Sequence, residues 1–289
     1  MNNKKLVPML LCALMSVLVV TTCGCTTTTT QSTKLTVYAA ASLSGAFNET
    51  AQAFEANNSG VTVVFNYAGS NALATQIKQG ANVDVFASAD QKNMKSVQDA
   101  GLMNNSSVKV FAQNKLALIV PKANPANIIS LNDLANSGVK LVVANSSVPV
   151  GNYSLQMLSK ASNNSSYGAG FNTSVLANVV SEETNVNDAV VKVALGQGDA
   201  GIVYVSDVPA AYKDKVTVIK IPDSVNVIAQ YPVGVLSGSQ NAQQAQSWIN
   251  YVTSPAGQAI LQKYGFIIPK ASQNATVAAA TTTAATAAT

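Results

Sequence analysis

From residue 35 onward the chain alternates short runs rich in β-branched residues with longer amphipathic runs, and this rhythm most restricts its fold. Strands read at 35–40, 61–67, 83–87, 116–120, 140–144 and 201–204. Helices read between them at 43–57, 72–79, 91–100, 151–160 and 185–195, and two more close the chain at 242–252 and 255–264. Strands alternating with helices of this length specify an α/β fold with largely parallel sheets. No internal repeat interrupts the pattern. Ser254 with Pro255 opens the last helix and Gly265 stops it, while Trp248, Tyr251, Tyr264 and Phe266 read as packing residues.

Composition then removes whole mechanisms. The 289 residues include no histidine and no arginine, so all 17 basic residues are lysines, against 13 acids. Without His the usual Ser-His-Asp and Cys-His nucleophile systems cannot be built, nor an imidazole metal site. Without Arg there is no planar fork for bidentate capture of a carboxylate or phosphate. A formal charge of +4 is too small for a nucleic-acid footprint, so no nucleic-acid partner is expected. Neither an enzyme nor a cofactor protein is indicated, and no metal ligand set is apparent.

The three cysteines, Cys12, Cys23 and Cys25, all fall at the N-terminus, leaving the body without disulfides. A basic start with Lys4 and Lys5, an apolar run at 6–20 and small residues before Cys25 are ordered as in an export signal, and the run is short for a membrane span. Gly24 before Cys25 resembles a lipoprotein processing site, which makes residues 1–25 a leader and Cys25 a lipid attachment point that tethers without spanning. Residues 26–33 read as a polar linker and residues 271–289, an Ala/Thr tract, as a disordered tail.

Functional interest centres on the strand-to-helix junctions, because ligands of open α/β sheets gather at the carboxyl ends of strands, where helix N-termini present free N–H groups. Four junctions look alike, each able to offer two or more backbone donors: Ala39–Leu43 with Ser42, Ala68–Ala72 with Ser70, Val148–Asn152 with Val150, and Glu183–Asn187 with Val186. Tyr204 ends a strand and offers a phenolic donor. Ser after a strand is commonly only a helix cap, so it is the joint occurrence that points to a compact anion held by N–H dipoles and hydroxyls. Asp84 and Asp90 read as structural, Asp90 as a cap, and Glu182 and Glu183 as a solvated helix entrance.

LTVYAAASLSGAF at 35–47, FNYAGSNALATQIKQ at 65–79, DVFASAD at 84–90, VPVGNY at 148–153, GIVYVSD at 201–207, YPV at 231–233 and SPAGQAILQKYGF at 254–266 together resemble the periplasmic molybdate-binding proteins of ABC importers. The resemblance spans nearly the whole mature chain. It implies a two-lobed, type II periplasmic-binding-protein fold with a hinge of two chain crossings, closing over molybdate or tungstate. It assigns hydroxyl and N–H donors to Ser42 and Ser70, backbone N–H donors to Val150 and Val186, and a hydroxyl to Tyr204. It further implies an ABC transporter permease as membrane partner and a monomeric protein. One lobe is expected to comprise residues 34–114 with 232–270, the other residues 115–231. A binder of sulfate or phosphate, and an exported hydrolase, are the alternative readings.

Overall fold

A computed structural model of the chain describes residues 32–208 and 212–269; the leader, Cys25 and the C-terminal tract lie outside them. The strands are β1 (Thr33–Ala40), β2 (Val61–Ala68), β3 (Val85–Ala87), β4 (Lys109–Pro121), β5 (Leu141–Ala144), β6 (Val179–Glu183), β7 (Ala200–Tyr204), β8 (Val216–Lys220) and β9 (Ile228–Val235). The helices are α1 (Ser44–Asn57), α2 (Ser70–Lys78), α3 (Gln91–Asp99), α4 (Pro149–Ser162), α5 (Phe171–Ala177), α6 (Val186–Ala194), α7 (Ala242–Val252) and α8 (Pro255–Lys263). Every strand and helix expected above is present. Residues 109–115, α5, β6, β8 and β9 are additions to that reading.

The strands run in the order β2-β1-β3-β9-β4-β7-β5-β6, with β8 also on β4. Pairing is parallel for β1 with β2 and β3, and for β5 with β6 and β7. It is antiparallel wherever β4 or β9 takes part. The expectation of largely parallel sheets is therefore corrected: two parallel groups are joined by antiparallel strands. A chain that passes from one group to the other and returns must run in both directions past the same place.

The architecture is α/β and two-lobed, and the 13-residue strand β4 links the lobes. Its first half, to Lys115, pairs with β9; from Leu116 it pairs with β7 and β8. Pro232 of β9, which has no N–H to donate, lies opposite a register shift between Val110 and Ala112. In the lobe built on β1, the pleat sends alternate side chains to opposite faces. Leu35, Val37, Ala39, Val85 and Ala87 join the main core, while Phe86 joins a second cluster with Leu73, Ile77, Met94 and Val97 from α2 and α3. In the main core Trp248 meets Phe47 and Phe54 edge-on at 5.4 Å from each, which bears out its reading as a packing residue.

Caps fix where helices start. Asp90 accepts the N–H of Asn93 at 2.9 Å and Ser254 that of Gly257 at 3.3 Å, both as expected. Gly265 sits at φ +88°, a conformation that ends α8 without a Cβ penalty. Asp84 is structural too, accepting from Thr36 N–H at 2.8 Å and from Ser239 Oγ at 2.6 Å. Glu183 corrects the expectation of a solvated entrance: it is buried, 2.7 Å from Lys192 Nζ and 2.6 Å from Ser181 Oγ. Burial pushes its carboxyl up, but these two donors outweigh burial and hold it below the usual range.

Gly151, in the first turn of α4, is needed for space. A Cβ there would lie 2.2 Å from the carbonyl oxygen of Asn145 and 2.4 Å from that of Ala144. Gly151→Ala is expected to lift α4 from the end of β5, costing about 2–3 kcal/mol and lowering Tm by about 5–10 °C in thermal unfolding.

Candidate functional site

The ends of β1, β2, β5 and β7 converge on one small cavity. It is lined by Ala40 at the end of β1 with Ala41 and Ser42 beyond it, by Ala68 at the end of β2 with Gly69 and Ser70 beyond it, and by Ala89 after β3. From the opposite side come Val148, Pro149 and Val150 before and within α4, Val186 at the start of α6, and Tyr204 at the end of β7. All five residues singled out above, Ser42, Ser70, Val150, Val186 and Tyr204, thus meet at one place. The cavity is small and suits a compact solute.

Its lining carries no lysine and no carboxylate. Charge can be met only by dipoles and hydroxyls. The first N–H groups of a helix have no acceptor within it, and α2, α4 and α6 begin at the cavity wall with Ser70, Pro149 and Val186. Pro149, at the first position of α4, has no N–H to present, so Val150 is the first donor of that helix. Three helix N-termini aimed at one point favour negative charge there.

Neither serine caps its helix. The cap position of α2 is Gly69, and Ser70 is the first helical residue; its Oγ accepts the N–H of Ala89 at 3.0 Å. Ser42 lies within a 3-10 turn, Ala41–Leu43, and its Oγ is 3.0 Å from Tyr231 Oη. The capping reading of these two serines is therefore set aside. Tyr204 is 1% exposed, and its hydroxyl has no hydrogen-bond partner among the described residues. A buried hydroxyl left in this state costs free energy unless a ligand engages it. Burial, reinforced by the neighbouring phenols Tyr231 and Tyr153 and the carboxyls of Asp207 and Asp90, pushes its pKa well up, so it stays a neutral donor.

Two side-chain hydrogen bonds cross the cavity. Asn71 Nδ2 donates to Ser147 Oγ at 3.1 Å, and Asn187 Nδ2 donates to the carbonyl of Ala41 at 3.2 Å. Behind the cavity lies Asp207, which sequence reasoning left unassigned although it follows Tyr204 by three residues, the spacing of a local cap. It accepts the N–H of Tyr204 at 2.7 Å, and burial pushes its carboxyl up to about 8. Held neutral below that pH, it puts no negative charge beside the cavity.

A buried carboxyl of this kind reverses the usual acid-stability trend. Between its unfolded pKa of about 3.9 and its folded value the native state binds the extra proton, so this group's contribution to stability falls as pH rises. Thermal unfolding followed across that window is expected to show a downward slope toward pH about 8. In Asp207→Asn, which keeps an acceptor for the Tyr204 N–H, that slope should vanish.

Comparison with known proteins gives the chain's family. The family model described as bacterial extracellular solute-binding protein matches residues 35–267, most of the chain. The chain belongs to that family. It is 39% identical over 235 residues to the molybdate-binding protein ModA of Mycobacterium tuberculosis, covering 81% of this chain and 85% of that one. Among solved structures, the substrate-binding domain of a putative molybdenum ABC transporter from Clostridium difficile is 29% identical, with a TM-score of 0.62 over 82% of this chain and all of that one. The periplasmic molybdate-binding protein of Azotobacter vinelandii, at 22% identity, shares the fold with a TM-score of 0.70 over 81% of this chain and 99% of its own. These likenesses make the architecture the two-lobed periplasmic-binding-protein fold. Among the described residues no helix is long and apolar enough to cross a membrane.

Proposed function

We propose that this protein captures molybdate or tungstate outside the cytoplasm and delivers it to the membrane permease of an ABC importer, without performing chemistry on it. The observation that carries this reading is the cavity itself: Ser42, Ser70 and Tyr204 with the first-turn N–H groups of α2, α4 and α6, and no basic or acidic side chain in its lining. Such a donor-only shell suits a small, fully deprotonated tetrahedral anion. The 39% identity to a named molybdate-binding protein supports the choice of ligand.

In this reading Ser42 and Ser70 donate from one lobe, and Val150 N–H, Val186 N–H and the Tyr204 hydroxyl donate from the other. The lobes comprise residues 34–114 with the chain from 232 and residues 115–231, hinged where β4 and β9 cross. Closure buries the anion and is the signal the permease reads. A lipid on Cys25 holds the monomer at the membrane surface.

Thermal unfolding of the purified protein with molybdate, tungstate, sulfate and phosphate tests the proposal. A ligand at about 100 times its dissociation constant stabilises by about 2.7 kcal/mol. A shift with molybdate and tungstate and a smaller one with sulfate and phosphate is expected; a larger shift with sulfate or phosphate would reassign the ligand, and none with any anion would overturn the oxyanion reading.

A further inference from the structure

An asparagine side chain in the first turn of a helix commonly bonds to backbone close by in sequence. Asn71 in α2 and Asn187 in α6 do otherwise. Asn71 Nδ2 donates to Ser147 Oγ at 3.1 Å, and Asn187 Nδ2 donates to the Ala41 carbonyl at 3.2 Å and lies 3.5 Å from Ser44 Oγ. Among the described residues these are the only hydrogen bonds the two side chains make, and every partner stands on the facing side of the cavity.

The donor directions follow from the partners. A carbonyl can only accept, so the Ala41 oxygen fixes the Asn187 amide. Asn145 Nδ2 donates to Glu182 Oε2 on β6 at 2.7 Å, which leaves Asn145 Oδ1 to receive both the N–H and the hydroxyl of Ser147, at 3.0 and 2.8 Å. The one proton of the Ser147 hydroxyl is thereby spent, and its oxygen receives from Asn71. Ser147 is held in place from its own side, by Asn145 and Glu182, and offers Asn71 a fixed acceptor.

Both contacts adjoin cavity-lining residues in sequence. Asn71 follows Ser70 and Ser147 precedes Val148; Asn187 follows Val186 and Ala41 precedes Ser42. Each bond therefore ties one lining segment to another on the opposite wall.

We propose that Asn71 and Asn187 are positioning residues that clasp the lobes over the anion, each reaching from its own lobe to the other, and that they slow the anion's release without touching it. This inference rests on the oxyanion reading and the lobe division above. The two clasps differ in strength. Asn71 Oδ1 is buried with no partner among the described residues, so closure strips its water and offsets part of what the Nδ2 bond contributes. Asn187 bears no such cost. Without Asn187 the Ala41 carbonyl still receives the N–H of Ser44, so its removal leaves that carbonyl paired.

Rates of binding and release of molybdate and of tungstate by rapid mixing, with thermal unfolding of the ligand-free protein, test the clasp. In Asn187→Ala the dissociation rate is expected to rise by about tenfold for both anions, and in Asn71→Ala by about threefold. Association rates and the ligand-free Tm stay at wild-type values, because the open protein makes neither bond. The ratio of the two affinities also stays fixed, since neither side chain meets the anion. Ser147→Ala removes the Asn71 bond from its other end, so adding Asn71→Ala in that background is expected to change nothing further, which decides the question if Asn187→Ala does not fold. Wild-type release from Asn187→Ala, or a loss of ligand-free stability as large as its loss of affinity, would overturn the clasp while leaving the oxyanion site standing. A wild-type protein that binds neither anion would overturn both.

Discussion

Gly69→Ala is expected to weaken molybdate binding by about ten- to a hundredfold while leaving the unfolding of the ligand-free protein nearly unchanged. Gly69 has φ −59° and ψ 136°, a conformation open to any residue, so alanine introduces no backbone strain. The obstacle lies across the cleft: a Cβ would be 2.7 Å from the carbonyl oxygen of Thr184, in the opposite lobe. Its other near neighbour, Asn71 Oδ1 at 2.7 Å, is the end of a side chain that can turn away. Overpacking against a fixed backbone costs about 1–3 kcal/mol, and here that cost falls only on the closed form. Isothermal titration and thermal unfolding of the variant separate the two effects. Loss of stability in the absence of anion, with affinity retained, would show that Thr184 does not approach Gly69 on closure.

Tyr204→Phe should likewise lose affinity without losing stability. The Tyr204 hydroxyl is buried without a partner among the described residues, so removing it relieves a desolvation cost, and the ligand-free protein is expected to be as stable as wild type or more so. Molybdate affinity is expected to fall by about tenfold or more, because a hydrogen bond to a charged group contributes about 1.5–3 kcal/mol. Ser70→Ala differs in a readable way: it removes a cavity donor and also strands the buried N–H of Ala89, so both affinity and ligand-free stability should fall. Were Tyr204→Phe to lose stability and keep its affinity, the phenol would be a core residue and not a ligand donor.

The site was more legible in the sequence than the strand directions. Short apolar runs ending in Ala, Gly and Ser before a helical period mark places where backbone can approach a ligand, and the four junctions so marked are the ones that meet at the cavity. What the two serines do there was not legible. Their hydroxyls are set by Tyr231, 189 positions from Ser42, and by Ala89, 19 positions from Ser70. No local pattern reports such partners.

The missed strand segments have physical reasons as well. The first half of β4 ends in Gln113, Asn114 and Lys115, which look like a loop; Asn114 is tolerated at full burial because its amide is hydrogen-bonded on both sides. In β9, Pro232 and Gly234 argue against a strand, yet the proline sits opposite the register shift in β4. β6 ends in Glu182 and Glu183, and the second is buried only because Lys192 comes to it from α6. Antiparallel pairing through β4 and β9 joins residues more than a hundred positions apart, a choice made by the return of the chain between lobes and not by local preference.

The most direct test of the site is a crystal structure of the protein grown with molybdate, with anomalous scattering recorded at the molybdenum edge. A single anomalous peak within hydrogen-bonding reach of Ser42, Ser70, Tyr204 and the N–H groups of Val150 and Val186 is the expected result. A peak outside that cavity, or none in it at saturating molybdate, would contradict it.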